Sequence, residues 1–376
     1  MVDVRLLAKE ENNASRPLYE KVFTEDSSAF IDYYYFLKAK DNDIFVVEKD
    51  EAMRSMLHLN PYQLHLGKKA FLGHYIVGVA TETSYRKRGY MAALLHKALH
   101  YMYEKKEPFT YLMPAREGIY DPYDFEVVFQ QKRYVYTEEA FCQSSKLEDF
   151  LNNAQKSKEK RDITVREANF LDVNAMSTFF HQYFPKKLDV YTCHDEDYYR
   201  GLLVELQAQS GGITLIFKDA SLVALLPFYL EGSQVFLKEP LFALHCKWDF
   251  LSEIEQDFKP NIMTRILHLP SFLKTLELNN YVAERLNLSL AVLDPILQQN
   301  SKIWRLETVG ASKKVRVKEA EDTDGVITIG ALTSYLFGAK GIGEIIEEPD
   351  VKLSKKAQVE LEKIKKFVRI SLNEIV

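Results

Sequence analysis

Six consecutive residues, Arg86-Lys87-Arg88-Gly89-Tyr90-Met91, have the types and spacing of an anion-binding loop. They lie between an apolar run, Ile76 to Ala80, and a segment with helical spacing of apolar residues, Met91 to Tyr103. The first turn of a helix leaves unpaired N–H groups with partial positive charge behind them, and a glycine lets an anion approach them closely. The loop therefore indicates a diphosphate site. The alternative interpretation is a solvated basic turn before an ordinary helix.

Other patterns in the chain carry less chemistry. The loop has neither the Walker sequence nor the GxGxxG fingerprint of dinucleotide-binding folds. The glycine-rich stretch from Gly338 to Gly343 follows a helical segment, so it predicts a helix C-cap and turn. His96 and His100 have the i, i+4 spacing of zinc ligands, but no HExxH acid or third ligand accompanies them. A solvated helix face and no metal are therefore expected.

A strand must deliver the chain to the loop, and Lys69 to Thr81 has the length and apolar content for it. Its interior glycines, Gly73 and Gly78, are typical of a bulge or of a place where a ligand approaches the backbone. Helical segments and strands precede it, and Phe109 to Met113 predicts a further strand. Arg133 to Thr137 is expected to close this first sheet.

The order of elements repeats after a charged stretch, Ser144 to Arg161, that is typical of a linker with a solvated helix. The repeat runs from Ile163 to Leu237, but the segment where the loop would recur, Leu241 to Phe258, contains no glycine. A third segment begins at MTRILHLPSFL (263–273) and ends with a charged helix for which Ser354 is a suitable N-cap.

Length and composition limit the functional classes. A chain of 376 residues is long enough for two or three domains, and a formal charge of -5 argues against a general nucleic-acid binder. The three cysteines, Cys142, Cys193 and Cys246, are far apart and odd in number, which indicates a reducing compartment. The N-terminus lacks a signal-peptide pattern and no apolar run has the length of a membrane helix, so a cytoplasmic protein is expected.

The sequence IVGVATETSYRKRGYMAALL (76–95) resembles the acetyl-CoA-binding motif of the GNAT superfamily, Arg/Gln-x-x-Gly-x-Gly/Ala after a strand. Arg86 and Gly89 match the motif, whereas Met91 stands where most members have a small residue. The basic triplet, the second copy without the loop, the 263–273 stretch and GALTSYLFG (330–338) resemble the enhanced-intracellular-survival (Eis-type) branch over essentially the whole chain.

That resemblance implies an α+β fold of tandem GNAT-like domains, each a central mixed β-sheet flanked by helices, followed by a sterol-carrier-like α/β domain. The implied division is a catalytic GNAT domain binding acetyl-CoA at 1–143, a linker plus degenerate second GNAT-like domain at 144–261, and the sterol-carrier-like domain at 262–376. A homo-oligomer, a hexamer by family analogy, is also implied.

The resemblance also implies a set of residues around acetyl-CoA, the expected cosubstrate. These are Val79, Ala80 and Thr81 along the pantetheine arm, Lys87, Arg88, Gly89, Tyr90, Met91 and Ala92 around the diphosphate, and Ala115 and Arg116 on the far side. The family usually has an acid where this chain has Arg116.

Two proton-transfer groups follow from the same resemblance. Tyr120, in EGIYDPYDF (117–125), would protonate the departing thiolate, and a phenol with a pKa of about 10 is reasonably matched to a thiol near 8.5. Tyr123 is a nearby competitor. The C-terminal carboxylate of Val376 would accept the proton of the attacking amine, and its short tail after a predicted strand suits a partly buried terminus. Glu374, Asp121 and Asp124 are alternative bases.

The implied function is an N-acetyltransferase that moves the acetyl group of acetyl-CoA to a primary amine of a cationic acceptor: an aminoglycoside, a polyamine or a lysine-like group. Direct attack in a ternary complex is expected, because no suitably flanked cysteine or Ser-His pair indicates a covalent intermediate. The alternative is a non-catalytic acetyl-CoA-binding or lipid-binding protein. The run Tyr33-Tyr34-Tyr35-Phe36 belongs either to the core or to an acceptor groove.

Overall fold

The computed structural model describes residues 2–116, 118–131, 134–137, 163–232, 234–243, 261–282, 285–309 and 312–372. The strands are β1 Arg5–Leu6, β2 Asp43–Lys49, β3 Ala52–Leu66, β4 Lys69–Thr81, β5 Phe109–Leu112, β6 Glu126–Gln130, β7 Tyr134–Thr137, β8 Ile163–Glu167, β9 Val190–Thr192, β10 Gly212–Lys218, β11 Ser221–Glu231, β12 Gln234–Leu237, β13 Leu241–Phe242, β14 Asn261–Ile266, β15 Asn287–Leu293, β16 Ile303–Glu307, β17 Arg316–Glu319, β18 Gly325–Thr328, β19 Lys352–Leu353 and β20 Ile370–Ser371.

The helices are α1 Arg16–Val22, α2 Ser28–Tyr33, α3 Tyr90–Glu104, α4 Val173–Tyr183, α5 Glu196–Ala208, α6 Leu269–Leu273, α7 Ile329–Leu336, α8 Ile342–Ile345 and α9 Lys355–Glu362. A π-helical turn, Tyr34–Lys38, continues α2. No helix in these described ranges has both the length and the hydropathy needed to cross a membrane.

The first sheet has the strand order β1-β2-β3-β4-β5-β14-β6, with β9 and β20 added beside β3. Side chains alternate across it, as the period of two in a strand requires. In β2, Phe45 and Val47 pack in the same core as α3, whereas Ile44 and Val46 pack in the core of α1 and α2. Helices therefore cover both faces of this sheet.

The second sheet has the order β7-β12-β11-β10-β8, with β13 also paired to β11, and α4 and α5 pack on its core. The third has the order β17-β16-β15-β18-β19 and packs against α7 and α9. The α+β fold expected from the sequence is confirmed.

Two strands pair outside their own segments of the chain. β7 pairs with β12 of the second sheet, with Phe236 opposite Val135, so its expected place at the edge of the first sheet was wrong. β14 inserts between β5 and β6 of the first sheet, with Met263 opposite Leu112. Apolar alternation predicts a strand but does not say which sheet edge supplies its hydrogen-bond partners. The domain limits at 143 and 261 stay a prediction, and these strands pair across them.

Several local predictions are confirmed. Ser354 caps α9, with its hydroxyl accepting the Ala357 N–H at 3.1 Å. Gly338 follows α7 with φ +73°, the left-handed C-cap conformation that glycine favours. Within the aromatic run of the second helix, Tyr33, Tyr34 and Tyr35 are buried, whereas Phe36 is 80% exposed.

Candidate active site

The parallel strands β4 and β5 separate along their length. They pair at Tyr75 and Tyr111, and beyond this position the described residues show no further pairing between them. On its other edge β4 stays paired with β3 as far as Thr81. The edge of residues 76–81 that faces β5 is therefore open at the carboxyl ends of the strands, the place where sheets with parallel strands commonly bind ligands.

Gly78 forms a bulge inside this open stretch. The register slips by one residue, since Met56 faces Ala80 whereas His58 faces Val77. Gly78 has φ +57°, and a Cβ added to it would lie 3.2 Å from the His58 ring, so both the backbone angle and the space favour glycine. The bulge predicted from the interior glycine is confirmed. It turns the 79–81 segment, where Val79 and Thr81 are half-buried and Ala80 is buried, along the opening.

The basic loop leads from β4 into α3. Lys87 and Gly89 both adopt left-handed φ values, +62° and +79°, and a Cβ on Gly89 would meet no atom within 4 Å. The Arg86 Nε donates to the Thr81 carbonyl at 3.2 Å, and Arg88 donates to the Ser84 carbonyl at 3.1 Å. These contacts fold the loop back on the end of β4 and leave open space beside the Gly89 backbone.

Gly89 is the N-cap of α3, so the N–H groups of Tyr90, Met91 and Ala92 begin the helix without helical acceptors. The helix is fixed in place by its apolar face, with Leu94, Leu95, Ala98, Leu99 and Met102 all buried. A helix N-terminus and an exposed glycine at one end of an open strand edge fit a diphosphate with an extended arm attached.

Tyr120 lies in the loop after β5. Because β4 and β5 are parallel, this loop and the basic loop both follow the carboxyl ends of the strands and so lie at the same end of the sheet. The ring is 6% exposed and packs on Phe125 with centroids 5.8 Å apart, and burial raises the pKa of Tyr120 to about 12. The phenol is therefore protonated at neutral pH, the form that donates a proton. Its competitor Tyr123 is half-buried and meets the exposed His96 of α3 edge-on at 6.0 Å.

The remaining predicted residues differ in where they lie. Ala115 and Arg116 are exposed in the loop after β5, on the opposite side of the opening from β4. Val376 and Glu374 lie outside the described residues. The last described strand, β20, runs parallel to β9, which is antiparallel to β3, so the chain heads toward the open end of β4. Among the described residues there is no group of three or more metal-ligating side chains.

Two groups near the opening carry no sequence signal of their own. Asp26, between α1 and α2, accepts the Tyr19 hydroxyl at 2.9 Å, and burial raises the pKa of its carboxyl. Lys21 of α1 binds Glu82, which follows β4, at 2.6 Å and so holds the α1–α2 loop beside the end of that strand.

The second group is Arg265 of β14, which is fully buried behind the Tyr120 loop. A single charged residue in an apolar segment does not reveal its partners.

Asp124 ends the turn that follows Tyr120. Burial raises the pKa of Asp124 to about 6, against the opposing effect of the Arg265 guanidinium 3.6 Å away. Its Oδ2 is buried and accepts no hydrogen bond from the described residues. At neutral pH this acid is therefore ionised at the expense of stability.

Comparison with known proteins agrees with this geometry. Residues 3–128 match the family model of the acetyltransferase (GNAT) domain, and residues 269–368 match that of the sterol carrier protein domain. No match was found among curated proteins.

Solved structures share the fold over the whole chain. A probable N-acyltransferase from Enterococcus faecalis V583 is 15% identical over 99% of both chains with a TM-score of 0.77. A GCN5-related N-acetyltransferase from Anabaena variabilis ATCC 29413 is 13% identical over 99% of both chains, also with 0.77. Eis1 from Mycobacterium abscessus is 10% identical over 96% of both chains with 0.67. Residues 3–128 thus form a GNAT acetyltransferase domain around the open strand pair, and the chain shares its fold with these solved structures over nearly its whole length.

Proposed function

We propose that the protein transfers the acetyl group of acetyl-CoA to a primary amine of a cationic acceptor by direct attack in a ternary complex. The observation that carries this proposal is the open edge of β4, which contains the bulge at Gly78 and leads through the basic loop into the Gly89-capped helix. The edge suits an extended amide-bearing arm, and the helix N-terminus suits a diphosphate.

Acetyl-CoA supplies the activated acyl group, and the chain's own residues bind and orient it. In this proposal Val79, Ala80 and Thr81 offer backbone groups to the pantetheine arm. The surroundings of the diphosphate are Lys87, Arg88, Gly89, Tyr90, Met91 and Ala92, with Ala115 and Arg116 across the opening. Fixing the thioester beside the amine supplies much of the catalysis, since proximity replaces a bimolecular encounter.

Tyr120 would protonate the thiolate that leaves when the C–S bond breaks. With its pKa at about 12 against about 8.5 for an ordinary thiol, transfer costs roughly 5 kcal/mol if the thiolate is solvated. A thiolate that departs into the same buried surroundings is also desolvated, which raises its pKa and narrows the difference. Tyr120 is therefore suited to protonate a thiolate inside the site rather than one already in water.

The attacking amine must lose a proton, because an alkylammonium with a pKa near 10.4 is neutral in only about one part in 2,500 at pH 7. We propose the carboxylate of Val376 as the acceptor. Ser371 lies level with His65 through β9, and β20 runs in the same direction as β4. Asp26, Glu374, Asp121 and Asp124 are the alternative bases, and Asp26 also offers negative charge to a cationic acceptor.

A lipid-carrying role is less well supported. One enclosed cavity of the third domain, between its sheet and α7, is lined by Leu273, Leu290, Trp304, Leu332 and Leu361, whereas a more open groove of about 690 Å³ beside Tyr281 and Tyr335 is partly lined by charged side chains such as Lys365 and Lys366. The volume of the enclosed cavity is about 10 Å³, which is about the space of one water molecule. A sterol or fatty acid does not fit there without displacing core side chains.

The test is a coenzyme A release assay over a panel of aminoglycosides, polyamines and lysine-containing peptides. It compares the native chain, Tyr120→Phe, and a chain extended by two residues beyond Val376. Release with at least one amine, intersecting double-reciprocal plots and a loss in Tyr120→Phe of about 100-fold or more are expected. Parallel plots would exclude the ternary complex. Full activity of the extended chain would exclude the terminal carboxylate while leaving acetyl transfer standing.

The proposed homo-oligomer, a hexamer by family analogy, is a separate matter. Light scattering of the purified protein measures its mass directly. A monomer would remove this part of the proposal without affecting the chemistry.

A further inference from the structure

Arg265 of β14 is completely buried, and each of its side-chain nitrogens has a partner. Its Nε donates to the Tyr123 carbonyl at 2.7 Å, and its Nη1 donates to the Ile266 carbonyl at 2.9 Å. Its Nη2 binds the Asp294 carboxylate at 2.7 Å and lies 3.6 Å from Asp124. One guanidinium therefore links the turn that follows Tyr120 to a carboxylate of the third domain.

Asp294 is itself held rigidly in the loop after β15. Its side chain is fully buried, and its Oδ1 accepts the N–H groups of Ile296 at 3.1 Å and Leu297 at 2.8 Å. Its Oδ2 accepts the Asn300 amide at 2.9 Å. The carboxylate is thus oriented by three hydrogen bonds from within its own loop as well as by Arg265.

The link reaches Tyr120 through one turn of backbone. The Tyr123 N–H donates to the Tyr120 carbonyl at 3.0 Å, which closes the turn, and Arg265 holds the Tyr123 carbonyl at the other side of the same residue. Asp124 follows with φ +57°, so the chain reverses directly after the turn. A shift of Arg265 would therefore move the backbone that carries the Tyr120 phenol.

We propose that Arg265 and Asp294 are positioning residues for the general acid, so that the third domain sets the place of Tyr120 in the catalytic site. The inference rests on the proposed function, because it takes Tyr120 to be the acid. It gives the sterol-carrier-like domain a role in acetyl transfer that needs no ligand of its own.

The choice of an ion pair at this position supports a geometric role. A buried ion pair adds little net stability compared with apolar residues of the same size, because both charges lose their hydration. What the guanidinium provides is a planar set of donors that bind a carbonyl and a carboxylate at fixed angles, which a lysine ammonium cannot reproduce. Precise placement is the property that a proton donor requires.

The experiment is a double-mutant cycle of Asp294→Asn and Tyr120→Phe in the full-length protein. Asp294→Asn is expected to lower kcat by about tenfold or more while the Kd of acetyl-CoA changes less than about twofold. In the Tyr120→Phe background it is expected to have no further effect on kcat, because the group it positions is gone. A purely structural role would instead give the same loss in both backgrounds.

Asp172→Asn is the matched control. Asp172 is also a buried carboxylate bound by an arginine, with Arg166 at 2.6 Å, but it lies in the second domain at the start of α4. Its replacement is expected to lower the melting temperature and to leave kcat unchanged.

The outcomes separate the two proposals. If Tyr120→Phe keeps full kcat, the acid assigned in the proposed function is wrong. If Tyr120→Phe is impaired but Asp294→Asn is not, or if the two losses multiply, the positioning inference is wrong. Should Asp294→Asn fail to fold, Arg265→Lys keeps the charge, and its kcat decides in the same way.

Discussion

The first two domains contain corresponding strands that differ in how far their edges are paired. β4 and β12 hold the same place in their sheets, each following a longer strand to which it is paired. β4 meets its next neighbour at a single position and then parts from it, whereas β12 is paired along its whole length, with β7 on one side and β11 on the other. The strand that fills the place of the opening, β7, comes from the end of the preceding sequence segment.

The residues beyond the two strands differ accordingly. After β4 the chain exposes Arg86 to Gly89, which leaves cationic and N–H groups directed at solvent. After β12 the first residue is Lys238, which is buried and paired with Glu205, and Glu205 in turn accepts the Tyr33 hydroxyl of the first domain at 2.9 Å. The first domain keeps its positive charge available for a ligand, whereas the second uses its charge to join the two domains. In the second domain, the strand edge that corresponds to the open edge of β4 is closed by β7.

The largest effect on stability is expected when the buried Glu205 carboxylate of the second domain loses its counter-charge. Lys238→Met removes the partner of Glu205, whose side chain is 5% exposed, and should lower the free energy of unfolding by about 3–5 kcal/mol. Acetyl-CoA affinity should remain unchanged. Urea unfolding and isothermal titration measure the two quantities. The double variant Lys238→Met/Glu205→Gln should recover part of the stability, and a loss of acetyl-CoA binding in folded Lys238→Met would contradict the separation of roles.

Asp124, a half-buried acid of the first domain, should have the opposite effect on stability when its charge is removed. Its folded-state pKa of about 6 lies above its ordinary value of 3.8, so the charged form destabilises the fold above pH 6, and the cost disappears below about pH 4, where both states are protonated. Asp124→Asn should therefore raise the free energy of unfolding at pH 8 by up to about 3 kcal/mol, and the gain should vanish at pH 4. Urea unfolding at the two pH values measures this difference. A variant less stable than the native chain at pH 8 would show that the Arg265 contact outweighs burial.

The sequence predicted the parts of this comparison that depend on local pattern. β4 was expected at Lys69 to Thr81 and spans those residues, and α3 begins within one residue of its expected start. The bulge followed from one glycine inside an apolar strand, whereas the anion site predicted from one glycine between basic residues and a helix stays a prediction. In each case the signal is a conformational requirement that few other residues meet.

The parts that depend on distant pairing were out of reach. Nothing in the residues of β7 or β14 distinguishes one sheet edge from another, so their exchange between sheets was not predicted. Arg265 and Asp294 are 29 positions apart and carry no motif, because a buried ion pair is specified by three-dimensional packing. The roles of Tyr120 and Val376 came from the family resemblance and stay predictions.

Gly89, between β4 and α3, and Gly232, in the turn between β11 and β12, allow a matched test of the basic loop. Both have left-handed φ values, +79° and +60°, and neither has an atom within 4 Å of an added Cβ. Alanine at either position should therefore cost about 1 kcal/mol of stability through the backbone angle alone. Only Gly89→Ala should also weaken acetyl-CoA binding, by about tenfold, because the new methyl group would stand where phosphate approaches the backbone. If calorimetry gives the two variants equal affinities for acetyl-CoA, the diphosphate does not bind at the basic loop.

The smallest effect is expected from single charges. The Arg88 guanidinium lies 4.7 Å from the centre of the Tyr85 ring in the exposed loop, so it offers long-range attraction to a polyanion rather than a desolvated contact. Arg88→Gln should raise the Kd of acetyl-CoA about three- to fivefold at 50 mM salt, and the difference should shrink to less than about twofold at 0.5 M salt, where screening is nearly complete. Arg200→Gln removes an exposed arginine of α5 in the second domain that is paired with Glu196 and Asp197. It changes the net charge by the same amount and should leave the Kd unaltered at both salt concentrations. If both variants raise the Kd of acetyl-CoA by the same factor, the net charge of the protein alone attracts the cosubstrate, and the position of Arg88 in the basic loop does not matter.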